Sequence, residues 1–83
     1  MDWKKAIKNY NIYLSIERSL SKNTVDAYIR DINNLAKFSK KNPEKIKRKD
    51  IVNYINFLNT CKKSSRTQAR IISSIKTFYN YLI

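Results

Sequence analysis

The sequence has no glycine, no histidine, one cysteine and one proline, and only six acidic residues. Each shortage excludes something. Without histidine there is no Ser-His or Cys-His nucleophile pair and no His-ligated metal. The single Cys61 cannot close an internal disulfide or build a thiolate metal site, and it is expected to pack as a small hydrophobe near a helix end. Without glycine there is no Gly-rich loop to cradle a phosphate. No apolar run is long enough to span a bilayer, and Asp2, Lys4 and Lys5 interrupt the N-terminus, so neither a membrane span nor a signal peptide is expected. These exclusions leave no cofactor and no membrane partner, with a cytoplasmic protein as the default expectation.

What is abundant is positive charge. Eighteen Lys and Arg give a formal net charge of +12. Such an excess suits a polyanionic partner, nucleic acid before an anionic membrane surface. Part of the lysine also fits a bias toward Lys, Asn and Ile of the kind an AT-rich genome produces. With 83 residues, the chain forms at most one domain and buries about 60–65% of its unfolded surface. Most apolar side chains are therefore needed for one core.

The apolar period is helical throughout. A first helix is expected from about Asp2 to Arg18, with Trp3, Ile7, Tyr10 and Leu14 on one face and Ile12, Tyr13 and Ile16 widening it. Ser21 is a candidate N-cap for a second helix over about Lys22 to Ser39. Its stripe is Val25, Ile29, Ile32 and Leu35 or Ala36; Lys22, Asn23, Asp26, Arg30, Asn33 and Lys37 face away. Asn42-Pro43 marks a turn. Seven of the residues from Lys37 to Lys49 are basic and only Glu44 is acidic. This loop run reads as solvated surface that also attracts phosphate diffusely. A third helix is expected from about Arg48 to Thr60, with Ile51, Tyr54, Ile55 and Leu58 inward. Ser65-Arg66-Thr67-Gln68 reads as a capping box opening a fourth helix, with Ile71, Ile75, Phe78 and Leu82 on one face. That helix is still running at Ile83, with no stop signal before it, which is expected of a fragment of a longer protein.

After Asp50 there is no acidic residue, while Lys62, Lys63, Arg66, Arg70 and Lys76 remain. The polar face of the fourth helix mixes Arg66, Arg70, Lys76, Ser73 and Thr77. A helix fits the B-DNA major groove, where Arg reads guanine and Gln reads adenine. Small hydroxyls permit close approach and phosphate contact. The same composition also describes an ordinary solvated helix face. The starts of helices two and four, Ser21-Lys22-Asn23-Thr24 and Ser64-Ser65-Arg66-Thr67, set free backbone N–H groups beside hydroxyls and a cation, which suits an anion; simple capping explains them too.

The stretch from Glu17 to Ile32, reading E-R-S-L-S-K-N-T-V-D-A-Y-I-R-D-I, resembles the E-R-G-L-S-x-N-T-x-x-A-Y-x-R-D-L signature of tyrosine recombinases of the XerC/XerD and phage-integrase type. The stretch from Ala69 to Leu82 is similar to that family's fourth helix, A-R-x-L-S-A-x-R-x-F-Y-x-Y-L, and Asp50-Ile51 with Tyr54-Ile55 fits its third. The resemblance covers the whole chain in order. It implies an all-α fold, a four-helix SAM-like orthogonal bundle over residues 1–83, acting as the N-terminal core-binding half of a clamp around double-stranded DNA. Helices two and four would cross the major groove.

The catalytic half, with its arginines, lysine, histidines and nucleophilic tyrosine, would follow Ile83. The chain itself is then no enzyme, and its partners are DNA, its own C-terminal catalytic domain and other recombinase protomers. Tyr10, Tyr28, Tyr54 and Tyr79 are expected to pack in the bundle with wet hydroxyls. The candidate DNA-binding residues are Ser21, Lys22, Asn23, Thr24 and Arg30 on helix two, and Ser65, Arg66, Thr67, Gln68, Arg70, Ser73 and Lys76 on helix four. Gln68 and Ser73 are the candidates for base edges. The sequence departs from the family at two places. Ser19 replaces the glycine expected in the left-handed position that ends helix one, and Lys47 replaces the usual Thr cap of helix three. Two other readings stand beside this one: a stand-alone helical DNA-binding regulator, and a protein-interaction module that docks through Trp3, Ile12, Tyr13 and Ile16. Exposure of those four side chains would favour docking, and burial would oppose it.

Overall fold

The computed structural model describes residues 2–82. They form four α-helices, α1 (Trp3–Ile12), α2 (Lys22–Ser39), α3 (Arg48–Thr60) and α4 (Ser65–Leu82), and no strand. Ile83, where the fourth helix was expected to be still running, lies outside the described residues. The expected order of four helices holds. The bounds of α3 match to the residue.

Every helix contributes most of its expected stripe to one core; Ile55 of the third helix is not part of it. Ala6, Ile7, Tyr10 and Leu14 meet Val25, Ile32 and Leu35 of α2, Tyr54 and Leu58 of α3, and Ile71, Ile75 and Phe78 of α4. Trp3 stacks on Phe78, and its indole N–H donates to the Lys41 carbonyl. That contact ties the first turn of α1 to the loop between α2 and α3.

The first helix departs from expectation. The α-helix stops at Ile12 and continues as a π-helical turn, Tyr13–Glu17, whose wider ring closes with the Arg18 N–H donating to the Tyr13 carbonyl at 3.1 Å. Ile12 and Ile16 do not widen the core face; they are 53% and 71% exposed. Ile12 sits two residues from both Tyr10 and Leu14, and a helix turns such a residue to the far side.

The chain end of this segment is set at Ser19, whose φ is +50°. The left-handed turn expected of a glycine is therefore retained with serine. Its Oγ donates to the Ile16 carbonyl at 3.4 Å, and the following Leu20 N–H donates to the Leu14 carbonyl at 3.2 Å. Lys40 and Lys62 take the same left-handed conformation after α2 and near the end of α3, at φ +57° and +56°. A chain without glycine turns its helix ends with Ser and Lys.

Three further expectations are corrected, and the start of α3 shows what stands in for a threonine cap. Cys61 is exposed, because it caps α3 just before the left-handed Lys62 and so points out of the bundle. The cap of α4 is Ser64, not Ser65: the Thr67 N–H donates to Ser64 Oγ at 3.1 Å, while Ser65 is already helical. The Tyr10 and Tyr79 hydroxyls each bond a backbone carbonyl, and Tyr10 is fully buried. Tyr10 donates to the Ser74 carbonyl at 3.4 Å and Tyr79 to the Pro43 carbonyl at 3.1 Å. Burial pushes both phenols well above the ordinary tyrosine range. Finally, α3 is capped from inside. The Asp50 carboxylate accepts from the Lys47 N–H at 2.9 Å and from Lys41 Nζ at 3.0 Å, and these contacts hold its pKa below the usual carboxylate range.

Candidate nucleic-acid interface

Helices α2 and α4 open in the same way. Each begins after a Ser-x-x-Thr turn in which the serine Oγ accepts from the threonine N–H and donates to the threonine Oγ1. The N–H distances are 3.3 Å at Ser21/Thr24 and 3.1 Å at Ser64/Thr67. The hydroxyl pairs are both at 3.0 Å. Each cap satisfies one of the free N–H groups at its helix start and leaves the earlier ones open. At α2 those open groups sit among the exposed Lys22 and Asn23, and at α4 among the exposed Ser65 and Arg66.

The two helices are locked by a polar cluster that the sequence reading did not single out. Asp31, on α2, is 1% exposed. Arg70 meets it side-on, with Nε at 3.1 Å from Oδ2 and Nη2 at 2.9 Å from Oδ1. Ser74 Oγ donates to the same Oδ2 at 2.8 Å and also lies 3.0 Å from the Arg70 carbonyl. A buried carboxylate is stable only when its lone pairs are met; here three donors meet them. The contact in turn raises the Arg70 pKa above its ordinary value. The Ser74 carbonyl also receives the Tyr10 hydroxyl, so one serine on α4 joins α1 and α2. The signal was present in the sequence. Asp31 stands on the apolar stripe of α2, three residues after Tyr28 and four before Leu35, where an acid is rarely buried without a partner.

The candidate residues do not all share one surface. Lys22, Asn23 and Arg30 are exposed on α2, with Ser21 at its cap. On α4, Arg66, Arg70, Ser73 and Thr77 follow one face at helical spacing, and Arg66 and Ser73 are exposed. Thr24, Thr67 and Arg70 are half-buried. Lys76 is exposed but is rotated about 120° from Arg70 at 3.6 residues per turn, where it lines a shallow cleft with Ile51, Ile72 and Tyr79. Gln68 is two residues from both Arg66 and Arg70 and so turns to the other side of α4. Its amide Nε2 is committed to the Lys63 carbonyl at 3.0 Å. The structure therefore brings Arg66, Arg70 and Ser73 together and sets Gln68 and Lys76 apart from them.

Trp3 and Tyr13 are half-buried against the core, whereas Ile12 and Ile16 are exposed. Of the four side chains that the docking reading names, only the two isoleucines are thus exposed. They line a shallow cleft with Asn9, Tyr13, Glu17 and Tyr81. Among the described residues there is no cluster of His, Cys, Asp or Glu that could hold a metal ion. No helix formed by them is long and apolar enough to cross a membrane.

Comparison with known proteins agrees with this architecture. The chain is 39% identical over 83 residues to the tyrosine recombinase XerD of Oceanobacillus iheyensis. It is 34% identical over 82 residues to XerD of Listeria monocytogenes, and 34% identical over 83 residues to the tyrosine recombinase XerC of Lacticaseibacillus casei. These alignments cover 93–94% of the chain but only 28% of each relative. No solved structure gives a significant match. Residues 7–83 match the family described as phage integrase, N-terminal SAM-like domain, and the chain, an all-α SAM-like bundle, belongs to that family.

Proposed function

We propose that this chain is the DNA-gripping domain of a site-specific tyrosine recombinase, holding duplex DNA at the recombination site through α2 and α4. The observation that carries this reading is the pairing of two identically capped helix starts with outward cations: Lys22 and Arg30 on α2, Arg66 on α4. Both helices are fixed to each other by the Asp31–Arg70–Ser74 cluster. A net charge of +12 supplies the attraction. Lys22, Arg30 and Arg66, with the open N–H groups at Ser65 and Asn23, act chiefly as phosphate anchors, since half or more of protein–DNA hydrogen bonds are of that kind. Ser73 is the residue of α4 best placed for a base edge.

The domain's part in this reading is grip rather than chemistry. In this reading, bond breaking belongs to a C-terminal catalytic domain of the same protein, which works in the cytoplasm with other protomers. The exposed Ile12 and Ile16 leave an apolar face for those protein partners. The family match favours this reading over a stand-alone regulator.

The test is fluorescence anisotropy of a labelled duplex titrated at several salt concentrations. Affinity is expected to fall linearly in log–log form with salt, with a slope of about 0.9 per phosphate contacted. Arg66→Ala is expected to reduce that slope by about one and leave helicity unchanged. A wild-type chain that shows no salt-dependent binding at low ionic strength would overturn the proposal.

A further inference from the structure

We infer that Asp31 is a positioning residue for DNA contact, holding Arg70 so that the free edge of its guanidinium forms a ready-made fork for a backbone phosphate. The inference rests on the DNA-gripping reading above and deepens it.

A guanidinium has five N–H donors in a rigid plane. Asp31 occupies two of them, on Nε and Nη2, at 3.1 and 2.9 Å. The three that remain include one on Nη1 and one on Nη2 that run parallel off the end of the plane, the geometry that receives two oxygens of one phosphate. The two ends of this pair differ in burial. Asp31 is 2% exposed at its side chain, whereas Arg70 is 40% exposed, so the carboxylate faces the core and the guanidinium faces out. Asp31 cannot release Arg70 without leaving a buried charge unmet, and Ser74 fixes the carboxylate from a third side at 2.8 Å. The fork is therefore ordered before any DNA arrives, and its rotamer entropy is already spent. It lies one helical turn from the exposed Arg66, on the same face of α4.

The decisive variant is Asp31→Asn. By charge alone, removing a negative group beside DNA strengthens binding. If Asp31 instead positions Arg70, affinity falls, by about threefold to tenfold, because the fork is no longer held. The measurement is the same anisotropy titration, made at a temperature where circular dichroism shows the variant folded. Arg70→Lys keeps both the fold's charge balance and the salt slope but loses the fork, so a fall of about tenfold in affinity is expected with little change in slope. This second variant decides the matter should Asp31→Asn not fold.

Affinity equal to or tighter than wild type in folded Asp31→Asn, or in Arg70→Lys where Asp31→Asn does not fold, while Arg66→Ala still weakens binding, overturns this inference and leaves the DNA-gripping reading intact. Loss of salt-dependent binding by the wild-type chain itself would instead remove the reading on which it rests.

Discussion

Ser19, Lys40 and Lys62 all hold a positive φ near the end of a helical segment. An L-residue there costs about 1–2 kcal/mol, because its Cβ crowds the following carbonyl. Glycine removes that crowding but adds freedom to the unfolded chain, which offsets part of the gain. Ser19→Gly also gives up only a long hydroxyl contact, 3.4 Å to the Ile16 carbonyl. The net expectation is a stabilisation of about 0.5–1 kcal/mol, read as a rise of roughly 3–6 °C in the thermal midpoint of a domain this size. A fall in the midpoint would mean that the hydroxyl contributes more than the strain removes. The strained position was legible through the family resemblance, whose E-R-G-L-S signature has glycine where this chain has Ser19. The stripe position of Asp31 shows that this acid needs a partner, but not that the partner is Arg70. Residue spacing shows that Arg70 faces away from the Ile71–Ile75–Phe78 stripe, but not that α2 brings a buried Asp31 against it. That contact spans 39 positions in sequence and exists only once the bundle has formed.

The starts of α2 and α4 show how far local pattern reaches. The Ser21 cap was readable because a single serine precedes the first helical turn. At α4 two serines stand side by side, and S-x-x-Q over Ser65–Gln68 competes with S-x-x-T over Ser64–Thr67. The structure selects Ser64, whose Oγ takes the Thr67 N–H at 3.1 Å and reaches Thr67 Oγ1 at 3.0 Å; Gln68 turns back to the Lys63 carbonyl instead. The consequence is a measurable asymmetry between neighbours. Ser64→Ala removes the cap and is expected to cost about 1 kcal/mol, whereas Ser65→Ala, at the first helical position, is expected to be near neutral. Urea melts of the two variants settle it, and equal losses or the reverse order would return the cap to Ser65. The π turn after α1 was beyond pattern reading. Its i→i−5 bond leaves Tyr10 and Leu14 on the core side, as an uninterrupted α-helix would, so the apolar spacing carries no mark of it.

At the scale of the whole molecule, charge opposes folding and, under the proposed function, favours binding. Twelve excess positive charges are confined to a body with a radius of gyration of 12.3 Å, not much larger than the Debye length of about 8–10 Å at moderate salt. Of the six acids, Asp31 is consumed inside the bundle by Arg70, and Asp50 is held by Lys41 and the Lys47 N–H. Most cations thus have no carboxylate to balance them, and their mutual repulsion opposes the compact state. Sodium chloride screens that repulsion, so raising it from about 0.02 to 0.3 M should lift the thermal midpoint by several degrees. Under the proposed function, the same salt should weaken DNA binding by restoring competition for phosphates. Duplex DNA, binding only the folded chain, should raise the midpoint at low salt and lose that effect as salt increases. Thermal melts with and without DNA across the salt series test both arms together. A free-chain midpoint that is flat in salt, with DNA stabilisation still salt-sensitive, would place the excess cations too far apart to repel, and would assign the charge to DNA contact with no cost to the fold.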